Sequence, residues 1–444
     1  MRWTLVSGAG LSWADAPETN AVSTQLTIPY VPTRQDVVRD LFWLADVGTN
    51  DVLYDLGSGD GRIVIAAVRD CGARKAVGIE IDPQRIRESR EKAKEAGVTD
   101  RVEFVQGDLF TNDFSQASVV VLYLGQRANL DLRAELVRTL RPGARIVTHQ
   151  FGMGEWPPDK ELTVRTTYLG MFGRAANQFT GNPNVPDYEA GRNLATTSTL
   201  SMWIVPAPLA GIWRGDVSMP GGKRELKLAL HQRLTGLYGS FQLRGATNVE
   251  GWVSADLWGN HLRFEGRPTD RPYFEFGIMF DGHIRENTMR GKLAVLERSQ
   301  IREDQWESRR DKADFTGTWE WNGPVGARPV HLKIEKRDGT WLGDYLDRGW
   351  NSRAANGLET TVRDFYDFGG GFYFTFLIGR ERNKGGLGYG ILVDENAGWL
   401  TGEAIAESNG VKGTISFYPY SERPKKDIVV QQGSQPWSPR RVTP

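Results

Sequence analysis

The stretch Asp51-Val52-Leu53-Tyr54-Asp55-Leu56-Gly57-Ser58-Gly59-Asp60-Gly61-Arg62 runs an apolar strand into a turn with glycine at every second position. Glycine has no Cβ and reaches positive φ, so a ligand can lie close to the backbone there. The helix expected beyond the turn presents unpaired N–H groups and a positive dipole end to that ligand. A dinucleotide turn, Gly-x-Gly-x-x-Gly, would need glycine at Arg62, which this chain lacks. Lys75-Ala76-Val77-Gly78-Ile79-Glu80 reads as a second buried strand ending in a carboxylate. That acid falls about 20 residues past the glycines, where doubly wound nucleotide folds set one on ribose hydroxyls. Asp82 and Pro83 supply an N-cap and a first-turn proline, and Gly97 ends the helix. Residues 101–105, 117–123 and 145–149 read as further strands, with a leucine-spaced helix (Leu130, Leu132, Leu136, Leu140) before the last. Strands and helices alternating at this spacing predict a parallel, doubly wound α/β sheet.

The Asp-x-Gly-x-Gly-x-Gly turn resembles motif I of class I S-adenosylmethionine-dependent methyltransferases, which have a Rossmann-like fold. Pro29-Tyr30-Val31-Pro32-Thr33, the turn itself through Val64, and Val147-Thr148-His149-Gln150-Phe151-Gly152-Met153 sharpen the likeness. Together they are similar to bacterial relatives of the mitochondrial-type protein-lysine methyltransferases acting on the ATP synthase c-subunit and the adenine nucleotide translocase. The likeness spans residues 28–160. It implies S-adenosyl-L-methionine as cofactor, held by Tyr30, Thr33, Asp55, Gly57, Ser58, Gly59, Gly61, Glu80, Asp108 and Phe151. In that pattern Glu80 takes the ribose diol through two carboxylate oxygens, and Asp108 accepts from the adenine amino group. Tyr30 and Phe151 offer aromatic faces to the sulfonium. Each piece also has a plainer reading: Glu80 as a solvated strand end, Asp108 as a turn former, the two aromatics as wall residues.

Methyl transfer from a sulfonium is an in-line displacement, so much of the acceleration comes from aligning the acceptor. Three side chains near the cofactor edge are catalytic candidates. Tyr123 can orient an amine through its hydroxyl. Asn129 can cap the following helix or contact substrate. His149, at the carboxyl end of a strand, is the group suited to accept a proton near neutral pH, or else a hydrogen-bonded structural residue. Where amide- and nucleobase-directed enzymes of this class carry Asp/Asn-Pro-Pro-aromatic, this chain has Leu122-Tyr123-Leu124-Gly125, which argues against those substrates. The expected acceptor is a protein lysine or a small-molecule nitrogen or oxygen. A cofactor-binding scaffold whose C-terminal part binds a partner is the alternative of another kind.

The chain has 444 residues, enough for two or three cores. Lys plus Arg equals Asp plus Glu at 55 each, with no long basic run, so no nucleic-acid partner is expected. The single cysteine, Cys71, excludes intrachain disulfides and cysteine-cluster metal sites. The remaining histidines (His231, His261, His283, His331) are scattered, so no metal is expected. No apolar run approaches the ~18 residues of a membrane span. Ala14-Asp15-Ala16 is shaped like a signal-peptidase site, but Ser7, Gly8, Gly10 and Ser12 interrupt the apolar centre before it. A cytoplasmic protein is expected, export being the alternative. The oligomeric state is not legible.

The organisation expected is a flexible segment over 1–27 and a methyltransferase domain over 28–205, closed by strands 161–169 and 197–205 as an antiparallel edge pair. Within it, 171–193 is an inserted loop, either plain surface or a lid over the acceptor. From Pro206 onward, short aromatic and β-branched runs separated by turns predict an all-β region of two related barrel- or sandwich-like units, 209–311 and 314–422, before a mobile tail over 423–444. Strands are expected at 224–232, 237–243, 249–257, 261–265 and 273–280. An internal echo supports two units: Gly211-Ile212-Trp213 with Gly317-Thr318-Trp319, Leu226-Lys227-Leu228 with Leu332-Lys333-Ile334, and Gly239-Ser240-Phe241 with Gly343-Asp344-Tyr345. The charged stretch 302–312 is expected to link them. The Gly-x-Trp openings resemble those of lipocalin-like barrels. Both units are expected to help recognise or present the acceptor.

Overall fold

The computed structural model describes residues 30–154, 156–168, 194–245 and 248–322, and beyond these the strand segments named below with short flanks. The segments 1–27 and 171–193 lie outside the described residues. The chain divides into two units, Met1–Val31 and Pro32–Pro444; of the first only Tyr30 and Val31 are described.

The second unit begins with α1 (Gln35–Ala45) and then alternates β1 (Val52–Leu56), α2 (Arg62–Cys71), β2 (Lys75–Glu80), α3 (Pro83–Glu95), β3 (Val102–Gln106), β4 (Val119–Leu122), α4 (Gln126–Thr139) and β5 (Arg145–His149). β6 (Lys160–Tyr168) and β7 (Leu194–Ile204) complete a seven-stranded sheet in the order β3-β2-β1-β4-β5-β7-β6. The five leading strands run parallel, and β7 pairs antiparallel with both β5 and β6. Every residue of β1 and β4 is buried, as a central strand covered on both faces requires. Val37, Leu41 and Phe42 of α1 and Ile63 and Val64 of α2 pack with Leu53, Val121 and Val147 of the sheet in one core. Asp82 caps α3 by accepting from Gln84 N at 2.7 Å, with Pro83 in the first turn. This is the Rossmann-like sheet with its antiparallel edge.

The all-β region opens with β8 (Gly211–Met219), β9 (Gly222–Arg233), β10 (Gly236–Leu243), β11 (Val249–Trp258), β12 (His261–Pro268), β13 (Phe276–Arg285), β14 (Thr288–Glu297) and β15 (Gln300–Arg310). These strands form a closed eight-stranded barrel in chain order. β13 begins three residues later than expected, leaving Tyr273 and Phe274 ahead of it. The larger correction concerns 302–312, which is no linker: β15 closes the barrel by pairing Arg310 with Trp213. Only Trp306 and Ser308 of β15 are buried, while Glu303 and Glu307 face out to Lys292 and Arg290 on β14 at 3.0 and 2.8 Å. A strand with solvent on one face needs apolar residues only on the other, so a charged stretch can still be a barrel stave.

The remaining strands are β16 (Gly317–Asn322), β17 (Pro329–Arg337), β18 (Thr340–Tyr345), β19 (Thr360–Asp367), β20 (Gly371–Ile378), β21 (Arg382–Asn383), β22 (Ile391–Leu392), β23 (Gly398–Glu407), β24 (Gly410–Pro419), β25 (Gln435–Trp437) and β26 (Arg440–Val442). They build sheets β18-β17-β16-β26 and β19-β20-β23-β24-β25, with β21 and β22 paired apart. The expected tail is corrected in turn, because β25 joins β24 and β26 joins β16.

The echo between the units holds, with a shift in one part. Trp213 opposes Leu228, and Trp319 opposes Leu332. The leucine run is therefore out by two residues, which preserves the face. Gly239 and Gly343 do correspond, each opposing the matched positions Leu230 and Ile334. The match extends further than the motifs. Trp213 donates to Leu209 O at 2.9 Å and Trp319 to Phe315 O at 2.8 Å. Arg310, from the last strand of the first unit, lies 5.1 Å over the Trp213 ring, and Arg441 lies 5.0 Å over Trp319. Arg310 also donates to Pro208 O at 2.9 Å and Phe368 O at 2.8 Å, tying the barrel to the β19–β20 turn.

The barrel meets the methyltransferase sheet through the turn between β11 and β12. Ala207 N donates to Gly259 O at 2.7 Å, and a Cβ on Gly259 would stand 2.9 Å from Gly143 Cα. Gly143 precedes β5, so this contact lies at the amino-terminal ends of the parallel strands. Trp213→Ala removes a fully buried ring and leaves the Arg310 guanidinium without the face it stacks on, and should cost roughly 3–5 kcal/mol. Denaturant unfolding of the variant checks this; a loss below about 1 kcal/mol would mean that the stacked pair does not hold the barrel closed.

Candidate active site

The glycine turn follows β1 at the carboxyl edge of the sheet. Gly57, Gly59 and Gly61 have φ of 86°, 52° and 76°, the left-handed region that glycine enters freely. Gly57 N and Ser58 N both donate to Ile79 O on β2, at 2.8 and 3.0 Å. Glu80, next along β2, faces the turn: its Oε2 accepts from Gly59 N at 2.8 Å and its Oε1 from Asp82 N at 2.9 Å. Each oxygen retains a lone pair for a further donor. Gly61 begins α2, whose Arg62 donates through Nη1 to Thr33 O at 3.0 Å. The Pro32-Thr33 approach and the glycine turn are thereby joined.

Three acids crowd this turn. Burial, reinforced by the charges of Glu80 and Asp60, pushes the Asp55 carboxyl up to about 8. Burial would raise Asp60 too, but hydrogen bonds and charge from Arg62 and Lys92, both at 2.7 Å, hold it well below the usual carboxylate range. Asp108 follows β3 at the same edge and is exposed; its Oδ1 accepts from Phe110 N at 2.9 Å, so it does form a turn.

Beyond β4 and β5 the edge is aromatic. The His149 ring lies 4.0 Å from that of Tyr123, and Tyr123 lies 6.1 Å from Phe151. His149 is 7% exposed, with Nδ1 3.4 Å from Thr33 Oγ1 and Nε2 3.1 Å from Ser198 Oγ on β7. Burial lowers its pKa to about 4. The imidazole is therefore neutral at physiological pH and a weak base, which corrects the expectation of a proton acceptor poised near neutrality. Asn129 lies inside the first turns of α4 with no exposed surface, and its Nδ2 donates to Phe151 O at 2.9 Å. It neither caps the helix nor faces outward. Tyr30 is 39% exposed and belongs to the other unit.

Thus Thr33, Asp55, the glycine turn, Glu80, Asp108, Tyr123, His149 and Phe151 share the carboxyl edge. Sequence reasoning missed Arg62, Lys92 and Ser198. The Glu88/Lys92 spacing hints at a salt-bridged helix face, but nothing in the sequence points that face at Asp60.

An adenosyl sulfonium donor suits these residues. Ser58 Oγ is buried with no hydrogen-bond partner among the described residues, and a Cβ on Gly57 would press within 2.6 Å of Leu124 Cδ2. Leu124 thus holds position 57 to glycine, the turn leaves a polar atom unsatisfied, and Glu80 offers a carboxylate to hydroxyls with the protonated Asp55 beside it. Among the described residues no group of three or more His, Cys, Asp or Glu could hold a metal ion, and no helix is long and apolar enough to cross a membrane.

Comparison with known proteins bears on this edge directly. Residues 55–160 match the ANTKMT methyltransferase domain. A protein-lysine N-methyltransferase of Saccharolobus islandicus is 41% identical over 152 residues, covering 33% of this chain and 94% of the relative. The Xenopus laevis lysine N-methyltransferase of the ATP synthase c-subunit is 32% identical over 34% of this chain and 69% of its own length. Among solved structures, an RNA methyltransferase of Salinibacter ruber bound to S-adenosyl-L-homocysteine is 43% identical over 39% of this chain and 94% of that one, with a TM-score of 0.31.

The raised Asp55 pKa fixes the sign of a pH dependence. Its protonated form favours the folded state, a contribution fully present below the ordinary carboxylate value of 3.8 and lost as pH rises through about 8. Asp55→Asn should therefore gain melting temperature relative to the natural chain between about pH 5 and pH 9. Parallel melting curves across that window would contradict the burial argument.

Proposed function

This chain belongs to the ANTKMT methyltransferase family, and from that premise we propose that it methylates a lysine side chain of a protein. It is an S-adenosylmethionine-dependent methyltransferase. The observation that carries the reading is a coincidence of position: the residues matched to the family, 55–160, include the strand ends that converge on the glycine turn and the aromatic edge. The relatives at 41% and 32% identity are lysine N-methyltransferases, one of them acting on the ATP synthase c-subunit. They support lysine over a small-molecule acceptor.

When bound, S-adenosylmethionine supplies an electrophilic methyl group on a sulfonium. In our reading Glu80 accepts from the ribose hydroxyls, Asp108 from the adenine amino group, and the 57–61 turn backs the methionine portion. Asp55, its proton lost more readily beside a cation, supplies negative charge to that portion. Tyr123 and Phe151 line the route of the acceptor and exclude water, with Thr33 completing the approach. Neutral His149 orients through its ring nitrogens. At a pKa of about 4 it is too weak a base for a lysine ammonium, so the amine sheds its proton to solvent before attack. Overstabilising the sulfonium would be counterproductive, since its charge fades towards the transition state. The 28–205 region is the catalytic unit in this proposal. The barrel joins it at the opposite end of the sheet, which argues against the first β-unit as part of acceptor recognition. A cytoplasmic setting, where the donor is made, completes the proposal.

Asp55→Ala, Gly57→Val and Glu80→Ala should each weaken S-adenosylmethionine binding by at least about tenfold, since the first and last remove a carboxyl group from the turn and the second forces a side chain against Leu124 at a left-handed φ. Titration calorimetry reads this, and full affinity in all three would refute the pocket. Incubating the purified protein with tritium-labelled donor and a cell lysate should place label in protein, on lysine after acid hydrolysis. Label confined to RNA or small molecules would reject the lysine acceptor.

A further inference from the structure

The loop after β5 is restrained far beyond what a connection of its length needs. Its backbone reverses at Gln150, whose φ of 71° is left-handed and rare for a long side chain. Phe151 N donates to His149 O at 2.9 Å, closing a three-residue turn. Gln150 is pinned to β7 twice: its N–H donates to Thr199 O at 2.7 Å, and its Oε1 accepts from Thr199 N at 3.2 Å. The next three carbonyls are gripped in succession from α4. Asn129 Nδ2 donates to Phe151 O at 2.9 Å, Gln126 Nε2 to Gly152 O at 3.1 Å, and Arg133 Nη1 to Met153 O at 2.7 Å. Asn129 and Arg133 are both buried. The arrangement sacrifices stability, because Asn129 Oδ1 is buried with no hydrogen-bond partner among the described residues and Gln150 is strained. Strain and an orphaned polar atom meet beside Phe151, whose ring stands in line with those of Tyr123 and His149.

We propose that Gln150, Gln126, Asn129 and Arg133 are positioning residues: a two-sided clamp, β7 on one side and α4 on the other, that holds Phe151 on the methyl-transfer edge. The inference rests on the reading of that edge as the place where the acceptor is methylated. Gln150→Gly keeps the turn accessible and relieves its strain, while removing the side-chain half of its hold on β7; the main-chain bond to Thr199 O stays. Its melting temperature should be no lower than that of the natural chain, and its calorimetric affinity for S-adenosylmethionine should stay within about twofold, because the clamp touches none of Glu80, Asp108 and the 57–61 turn and, on the proposed reading, Phe151 lines the acceptor's route. Its rate of methyl incorporation into lysate protein at saturating donor should fall by roughly tenfold or more, as loss of alignment does. A natural rate, or a rate and an affinity that fall together, would overturn the clamp. Asn129→Ala, followed by hydrogen exchange, tests the grip without turnover: amides of 150–153 should exchange faster than in the natural chain. Unchanged exchange there would sink the clamp whatever the acceptor, whereas a natural chain that labels no protein while the variant exchanges faster would reject the methylation reading and keep the clamp.

Discussion

One carboxylate organises the cofactor edge. Glu80 accepts from Gly59 in the turn and from Asp82 at the cap of α3, so a single side chain joins β1, β2 and the following helix at the point where they meet. Without it, the N–H of a buried glycine turn would lack its acceptor, and unmade hydrogen bonds in such places cost more than made ones contribute. The same carboxylate adds negative charge beside Asp55 and Asp60. The fold tolerates that crowding in two ways: Arg62 and Lys92 neutralise Asp60, and Asp55 holds its proton. With Asp60 paired and Asp55 protonated, Glu80 is the charge left over at this turn, and it favours a cation.

The periodic and punctuated parts of the fold are legible in the sequence. The glycine turn, the Asp82-Pro83 cap and the leucine-spaced helix announce themselves through φ, capping and spacing, and central β4 reads as an unbroken apolar run because both its faces are covered. Failures share a cause: they depend on what lies across space. The charged stave β15 looks like a linker because its one inward ring, Trp306, is outnumbered by outward charges. The last residues look mobile because β26 finds its partner in β16, at the far end of the second unit in sequence, and β25 is only three residues long. His149 falls at the strand end as its position predicts, but its weak basicity comes from burial under Thr33, Ser198 and Tyr123, which no local pattern encodes. The left-handed turn at Gln150 leaves no trace in a glutamine.

The two ends of the Rossmann-like sheet carry different work. Its carboxyl edge gathers acids, glycines and aromatics, while its amino-terminal edge receives the barrel through Gly259 and Gly143. A β-unit docked there supports the sheet from behind and leaves the carboxyl edge to its own residues. The second unit lies elsewhere, with β19 alongside α4, the helix that also grips the loop after β5.

In both β-units the arginine that covers the opening tryptophan comes from the final strand, Arg310 for the first and Arg441 for the second. During synthesis, each tryptophan must wait for nearly the whole of its unit to leave the ribosome before its partner arrives. Neither unit can seal early around a partial set of strands, so the first is complete before the second has its closing residue, and assembly acquires a direction from the order of translation.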